Sequence, residues 1–152
     1  MALNRVAIPS PNCSSRGGAG VRLIVIHTAE GARTYQSLGN FFASSSSGVS
    51  SHSGIDDTPN TIGVYVKRGD TAWTASGANS VAVQTELCAF ASWTTSDWNT
   101  HPTMLENCAK WIAEEAAAFG IPIVKLTASQ AQGSGRGAVS YTHLTLPTIC
   151  SV

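Results

Sequence analysis

Charge is what this 152-residue chain has least of: Asp, Glu, Lys and Arg make up 12% of it, nine basic residues against nine acidic. Binding to nucleic acid needs a basic excess to neutralise phosphates, so nucleic acid is not expected as a partner. Long apolar runs are missing too, and none approaches the ~20 residues of a membrane-spanning helix. The N-terminus has no charged segment followed by an apolar one, so no signal peptide is expected. The four cysteines, Cys13, Cys88, Cys108 and Cys150, lack the paired spacing of a zinc finger. Cys88 and Cys108 fall where they could meet across a core, as buried free thiols or as a pair; free thiols are the expectation for a chain made in a reducing compartment. What remains is one domain's length of chain, enough to bury a core. Its neutral surface, rich in Ser, Gly and Thr and carrying tryptophans, suits an uncharged polar polymer such as a glycan without requiring one.

The run Leu23-Ile24-Val25-Ile26 leads straight into His27-Thr28-Ala29-Glu30-Gly31. A short, mostly β-branched apolar run predicts a buried central strand. His27 then stands at the strand's end, where the chain leaves the core. A rigid element of that kind can hold an imidazole for metal binding or general-base work. Position alone is equally compatible with a hydrogen-bonded histidine at a strand terminus. Downstream, the pattern predicts a helix over residues 34–43 with Leu38, Phe41 and Phe42 on one face. Strands are expected over Ser51–Asp56 and Thr61–Lys67, with Thr58-Pro59-Asn60 as their turn, and over Val81–Leu87. A long helix is expected from Thr103, where Thr103 and Glu106 have the spacing of a capping box. Its buried stripe would be Leu105, Cys108, Ile112, Ala116 and Phe119, and Gly120 followed by Pro122 would end it. Residues 1–20, rich in Pro, Gly and Ser, read as an extended arm over the domain. Strands alternating with helices predict an α/β single domain, a central mixed β-sheet flanked by helices.

Several polar residues stand out against this frame. Glu86 lies among Val81, Val83 and Leu87, where a carboxylate is either ion-paired or a base with a raised pKa. Trp73 and Trp93 can stack on sugars or fill a core, and core is expected for Trp111. His101 opens a helix and reads as a surface residue. Asp56-Asp57 reads as a turn, and Lys67-Arg68-Gly69-Asp70 as a charged hairpin.

Five segments in order carry a resemblance: Pro9–Asn12, Val21–Gly31, Val49–Asp56, Ala72–Asn79 and Val83–Trp93. Together they resemble the zinc-dependent N-acetylmuramoyl-L-alanine amidases, the type-2 amidase and peptidoglycan-recognition-protein family, and especially endolysins of phages infecting actinobacteria. The likeness spans residues 5 to 137. It implies a peptidoglycan hydrolase that cuts the amide bond between N-acetylmuramic acid and L-alanine with a zinc-activated water. His27 matches the first Zn2+ ligand, and Glu86 the residue that activates the water. His52 matches a histidine position beside which some relatives carry a catalytic Tyr; Ser51 stands there and has no phenol. The resemblance leaves His52 as structural or substrate-binding, Trp73 as substrate-binding or core, and Asn79 as a stem-peptide contact or a turn residue. It implies a monomeric phage or prophage lysin, made in the host cytoplasm and acting at the bacterial cell wall on muropeptide, with no membrane partner. The alternatives are a non-catalytic peptidoglycan-binding module of the same fold and, less in keeping with these residues, a structural virion component.

Residues Val139–Thr148 depart from this pattern. They match the translation of a transposon adapter used in sequencing libraries, and the expected division is a C-terminally incomplete amidase domain over 1–137 and a non-native segment over 138–152. A genuine final strand is the alternative, since Tyr, Thr, Leu, Ile and Val suit one. The family pattern implies a second histidine ligand and then Asp or Cys after Gly133–Gly137. His143 falls at a tempting place but has the wrong neighbours, and only Cys150 follows it as a ligand type.

Overall fold

The computed structural model describes residues 2–140 and puts the Leu23–Ile26 run in the middle of a sheet. It belongs to β3 (Leu23–Thr28), whose first three side chains are almost wholly buried. Before it come β1 (Asn4–Ala7) and β2 (Cys13–Ser15). After it come α1 (Tyr35–Ala43), β4 (Ser53–Ile55), β5 (Thr61–Val64), β6 (Asp70–Ala72), β7 (Ala82–Leu87), α2 (Thr95–Trp98), α3 (Pro102–Phe119), α4 (Ala128–Gln132) and β8 (Gly137–Ser140). Six strands form one sheet in the order β1-β5-β4-β7-β3-β8, and β2 pairs with β6 apart from it. β3 runs parallel to both β7 and β8, while β4 is parallel to β7 and antiparallel to β5. This is the expected mixed sheet flanked by helices.

Alternation along the strands sorts side chains onto two faces. Ile24 and Val83 belong to the larger core with Met104 and Trp111 of α3. Leu23, Val25 and Ala82 face the other way, toward Ala131 of α4 and Val139 of β8. On that second face, Gly54 and Gly63 leave room for the Tyr65 ring: a Cβ at Gly54 would come within 2.1 Å of the Tyr65 hydroxyl. That hydroxyl donates to the Tyr35 carbonyl at 2.7 Å, fastening the start of α1 to the sheet.

Several expectations need correction. Residues 1–20 do more than lie over the domain, because Asn4–Ala7 extends the sheet in parallel beside β5. The strands expected over Ser51–Asp56 and Thr61–Lys67 are shorter. The His52 carbonyl accepts from the N–H groups of both Tyr65 and Val66, at 2.9 and 3.5 Å, a two-against-one pairing that ends the ladder as a bulge does. In α1, Leu38 and Phe42 are buried but Phe41 is 46% exposed. Its cap is Thr34, whose hydroxyl accepts from the Ser37 N–H at 3.1 Å.

The long helix starts at Pro102, and Thr103 and Glu106 form no capping box. The Asp57 carboxylate supplies the cap instead, accepting from the Met104 N–H at 3.1 Å, and Glu106 pairs with Lys110 at 2.8 Å. The buried stripe is Met104, Asn107, Cys108, Trp111, Glu115 and Ala116, with Leu105 40% exposed. Apolar spacing passed over Asn107 and Glu115 because they are polar. Both are buried because both are bonded: Asn107 donates to the Thr58 carbonyl at 2.9 Å, and Glu115 accepts from Arg68 at 2.7 and 2.8 Å. Asp56 makes the expected turn, accepting from the Thr58 N–H at 2.8 Å. Cys88 and Cys108 are free thiols in one core, both pushed up to about 12 by burial. Cys150 and His143 lie outside the described residues. Among the described residues no helix is long and apolar enough to cross a membrane.

Candidate active site

Parallel pairing of β3 with β7 sets His27 directly opposite Glu86, and Val25 opposite Gln84. Equivalent positions on paired strands share a face, so His27, Glu86 and Gln84 converge at one end of the sheet's second face. His27 is 6% and Glu86 9% exposed. Burial, with Glu30 as a second negative charge, raises Glu86 from its ordinary value to about 8. Among the described residues no hydrogen bond is made to its carboxylate. A carboxyl in that condition exchanges a proton near neutral pH, as a general base requires.

His27 is pushed down to about 4, chiefly by burial and against its bond to Gln84, so the ring is neutral at neutral pH. Its Nε2 lies 2.9 Å from the Gln84 Oε1. The Gln84 Nε2 in turn donates to the Asn79 Oδ1 at 2.9 Å. That oxygen also accepts the backbone N–H groups of Thr74 and Ala75, at 3.1 and 2.7 Å. Asn79 therefore holds its turn and, through Gln84, touches His27.

His52 lies behind this face. The Gln84 N–H donates to its Nδ1 at 3.1 Å. Its Nε2 is 3.0 Å from both the Asp70 carbonyl and the Arg16 guanidinium. Since Nδ1 accepts, the proton sits on Nε2 and goes to Asp70. Burial first, and Arg16 further, lower His52 to about 4 although the Asp70 carbonyl works the other way. Trp73 is 38% exposed, its indole N–H donating to the Ser14 hydroxyl at 3.2 Å, so much of the ring stays open. Trp93 stacks on His101 with centroids 4.3 Å apart and meets Trp98 edge-on at 5.1 Å. His101 also pairs with Asp57, so it is a half-exposed partner in a cluster.

Two residues escaped the sequence analysis. Gln84 carried a signal, being two positions before Glu86 on a strand and hence on the same face. Glu30 carried none: it adopts φ 58°, uncommon for a residue with a side chain. Its carboxylate accepts the Ala91 N–H at 2.7 Å, tying the exit of β3 to the loop after β7. A cavity of about 230 Å³ lies on the α3 side, lined by Arg5, Arg68, Trp111 and Glu115 among others, and neither His27 nor Glu86 lines it.

A catalytic zinc takes three protein ligands and leaves one position open. Among the described residues no three His, Cys, Asp or Glu side chains are grouped to hold a metal. Residues 2–140 thus do not complete a zinc site, and His27 stands among them as a single candidate ligand. β8 nevertheless runs parallel to β3, with Ser140 level with Ile26, one residue short of His27.

The buried histidines give a pH dependence. Each is neutral when folded down to about pH 4, whereas the unfolded chain protonates near 6.5. Between those values the unfolded state holds more protons, so stability falls as pH falls. In Glu86→Gln, which removes the opposite pH dependence of that carboxyl, urea unfolding at pH 7 and pH 5 is expected to show a loss of about 2–4 kcal/mol on the acid side. An equal midpoint at both would contradict the neutral, buried assignment.

Residues 17–142 match the sequence profile of the family described as N-acetylmuramoyl-L-alanine amidase. The chain belongs to that family. No curated protein matches it. The amidase fold is shared with solved structures at low sequence identity. Staphylococcus aureus hydrolase AmiA, solved with its ligand, is 14% identical, with a TM-score of 0.66 over 95% of this chain and 70% of its own. The catalytic domain of XlyA is 16% identical, with a TM-score of 0.66 over 94% of this chain and 87% of its own. Drosophila PGRP-LB is 13% identical, with a TM-score of 0.64 over 97% of this chain and 87% of its own. Within the amidase fold, His27 and Glu86 are the two residues predicted for chemistry that the structure brings face to face.

Proposed function

We propose that this amidase-family domain derives from a phage or prophage lysin that hydrolyses the amide bond between N-acetylmuramic acid and L-alanine in peptidoglycan. The observation that carries the proposal is Glu86, a buried carboxylate with a pKa near 8, directly opposite the neutral His27. Glu86 takes a proton from the attacking water as its oxygen bonds to the carbonyl carbon. It returns that proton to the nitrogen as the C–N bond breaks, releasing the L-alanine amine. Zn2+, bound through His27 and ligands from beyond the described residues, would supply the Lewis acid of this family's chemistry. Of the three substrate-binding candidates, Trp73 has an open ring face for a sugar or stem peptide. His52, buried, and Asn79, half-buried in its turn, act through Gln84.

The domain proper ends at Gly137 in this proposal, and 138–152 stands in place of a native continuation. Gly137–Ser140 pairs with β3 and buries Val139, so the division rests on the adapter-like sequence and not on the fold; a native continuation in the same parallel register would run toward the level of His27. A second reading, a peptidoglycan binder that does not cut, is the one that applies if no further ligand joins His27, since residues 2–140 by themselves hold no complete ligand set. Reading the source DNA past the Gly137 codon tests the division; His and then Asp or Cys in frame is the expected continuation. Metal analysis of the completed domain is then expected to find about one zinc per chain, lost in His27→Ala. A completed wild-type domain that binds no zinc would overturn the catalytic proposal in favour of the binder.

A further inference from the structure

The hydrogen bonds around Gln84 can be oriented without ambiguity, because the network begins at two groups that only donate. The backbone N–H groups of Thr74 and Ala75 both point at one side-chain atom of Asn79, which must therefore be its oxygen. The same oxygen faces the Gln84 amide at 2.9 Å, so the Gln84 atom there must be the NH2 group. The Gln84 carbonyl oxygen is then the atom facing the His27 Nε2 at 2.9 Å, and an oxygen that only accepts needs a proton on that nitrogen. Turning Gln84 over would set oxygen against oxygen at Asn79. Turning Asn79 over would set its NH2 against two backbone N–H groups.

We propose that Gln84, anchored by Asn79, is a positioning residue that locks His27 in the Nε2–H tautomer and so keeps its lone pair on Nδ1. The proposal deepens the catalytic one, resting on His27 as the coordinating imidazole. A neutral imidazole offers one lone pair, and a bond to its other nitrogen decides which atom carries it. Gln84 is well placed to make that decision. Its side chain is fully buried, and its own N–H fixes the second histidine, His52, on the same strand pairing. The turn holding Asn79 thereby sets the proton position on a ring two bonds of the network away.

The test is nuclear magnetic resonance on the full metal-free chain labelled with 15N-histidine at pH 7.5, using long-range 1H–15N correlation. Loss of a signal in His27→Ala assigns the ring. Wild type is expected to show a single Nε2–H pattern, retained in Asn79→Asp, which keeps the accepting oxygen. Asn79→Ala and Gln84→Met are expected to lose it, giving a mixed or Nδ1–H pattern while circular dichroism still reports a folded chain. An Nδ1–H wild type, or an unchanged pattern in folded Gln84→Met, would overturn the proposal. If Gln84→Met does not fold, the Asn79 pair decides: an Asn79→Ala spectrum identical to wild type overturns it. None of these spectra depends on hydrolysis. A locked tautomer in a domain that proves inactive when completed would count against the catalytic proposal alone, and a scrambled tautomer in an active one against this inference alone.

Discussion

Glu86→Gln in the completed domain is expected to lower amide hydrolysis by about 10²–10⁴-fold, the usual worth of a general base. The same change is expected to stabilise the metal-free chain at pH 8. Glu86 keeps its proton when folded up to about pH 8, whereas the unfolded carboxyl releases it near 4.5. Between those values the folded state holds more protons, so wild-type stability falls as pH rises. Glutamine is neutral throughout and escapes that loss. The variant should gain little at pH 5 and up to roughly 4 kcal/mol at pH 8. Urea midpoints at the two pH values, beside initial rates of amide cleavage, check both halves. Opposite signs for activity and stability mark a residue kept for chemistry at a cost to folding. A variant that stays active and shows the wild-type pH slope would remove Glu86 from the mechanism.

Trp111→Ala is expected to destabilise the chain by about 3–5 kcal/mol, without a direct effect on the chemistry. Trp111 is 1% exposed and packs α3 against the face of the sheet that carries Ile24 and Val83. Those residues alternate along β3 and β7 with His27 and Glu86, so the packing of one face holds the other in place. Chemical unfolding measures the loss. A fall of less than about 1 kcal/mol would mean that the existing cavity beside Trp111 collapses on truncation, since the cost depends on how well a site relaxes.

The central strand and its histidine were legible because Leu23–Ile26 is apolar, too short for a buried helix and mostly β-branched, which together favour a buried strand. Glu86 was legible because an acid on an apolar strand demands an explanation. Asn107 and Glu115 were not, since apolar periodicity treats a polar residue as outward-facing, and only the partners Thr58 and Arg68 make burial tolerable. The cap of α3 was misassigned for a similar reason. A local Thr-x-x-Glu spacing was outcompeted by Asp57, a carboxylate from far along the chain. Strand spacing puts Gln84 on the face of Glu86, but its bonds to His27 and Asn79 are tertiary contacts that spacing alone does not reveal. His52 could be placed in the fold by resemblance, but the occupation of its two ring nitrogens by the Gln84 N–H and the Asp70 carbonyl is a tertiary fact.

Mass analysis of muropeptides after digestion by the zinc-loaded, completed domain tests the central claim most directly. Free stem peptides with an L-alanine N-terminus are expected beside intact lactyl glycan chains, and are expected to be lost with Glu86→Gln. Bound but uncut muropeptide, or cleavage at any other bond, would contradict it.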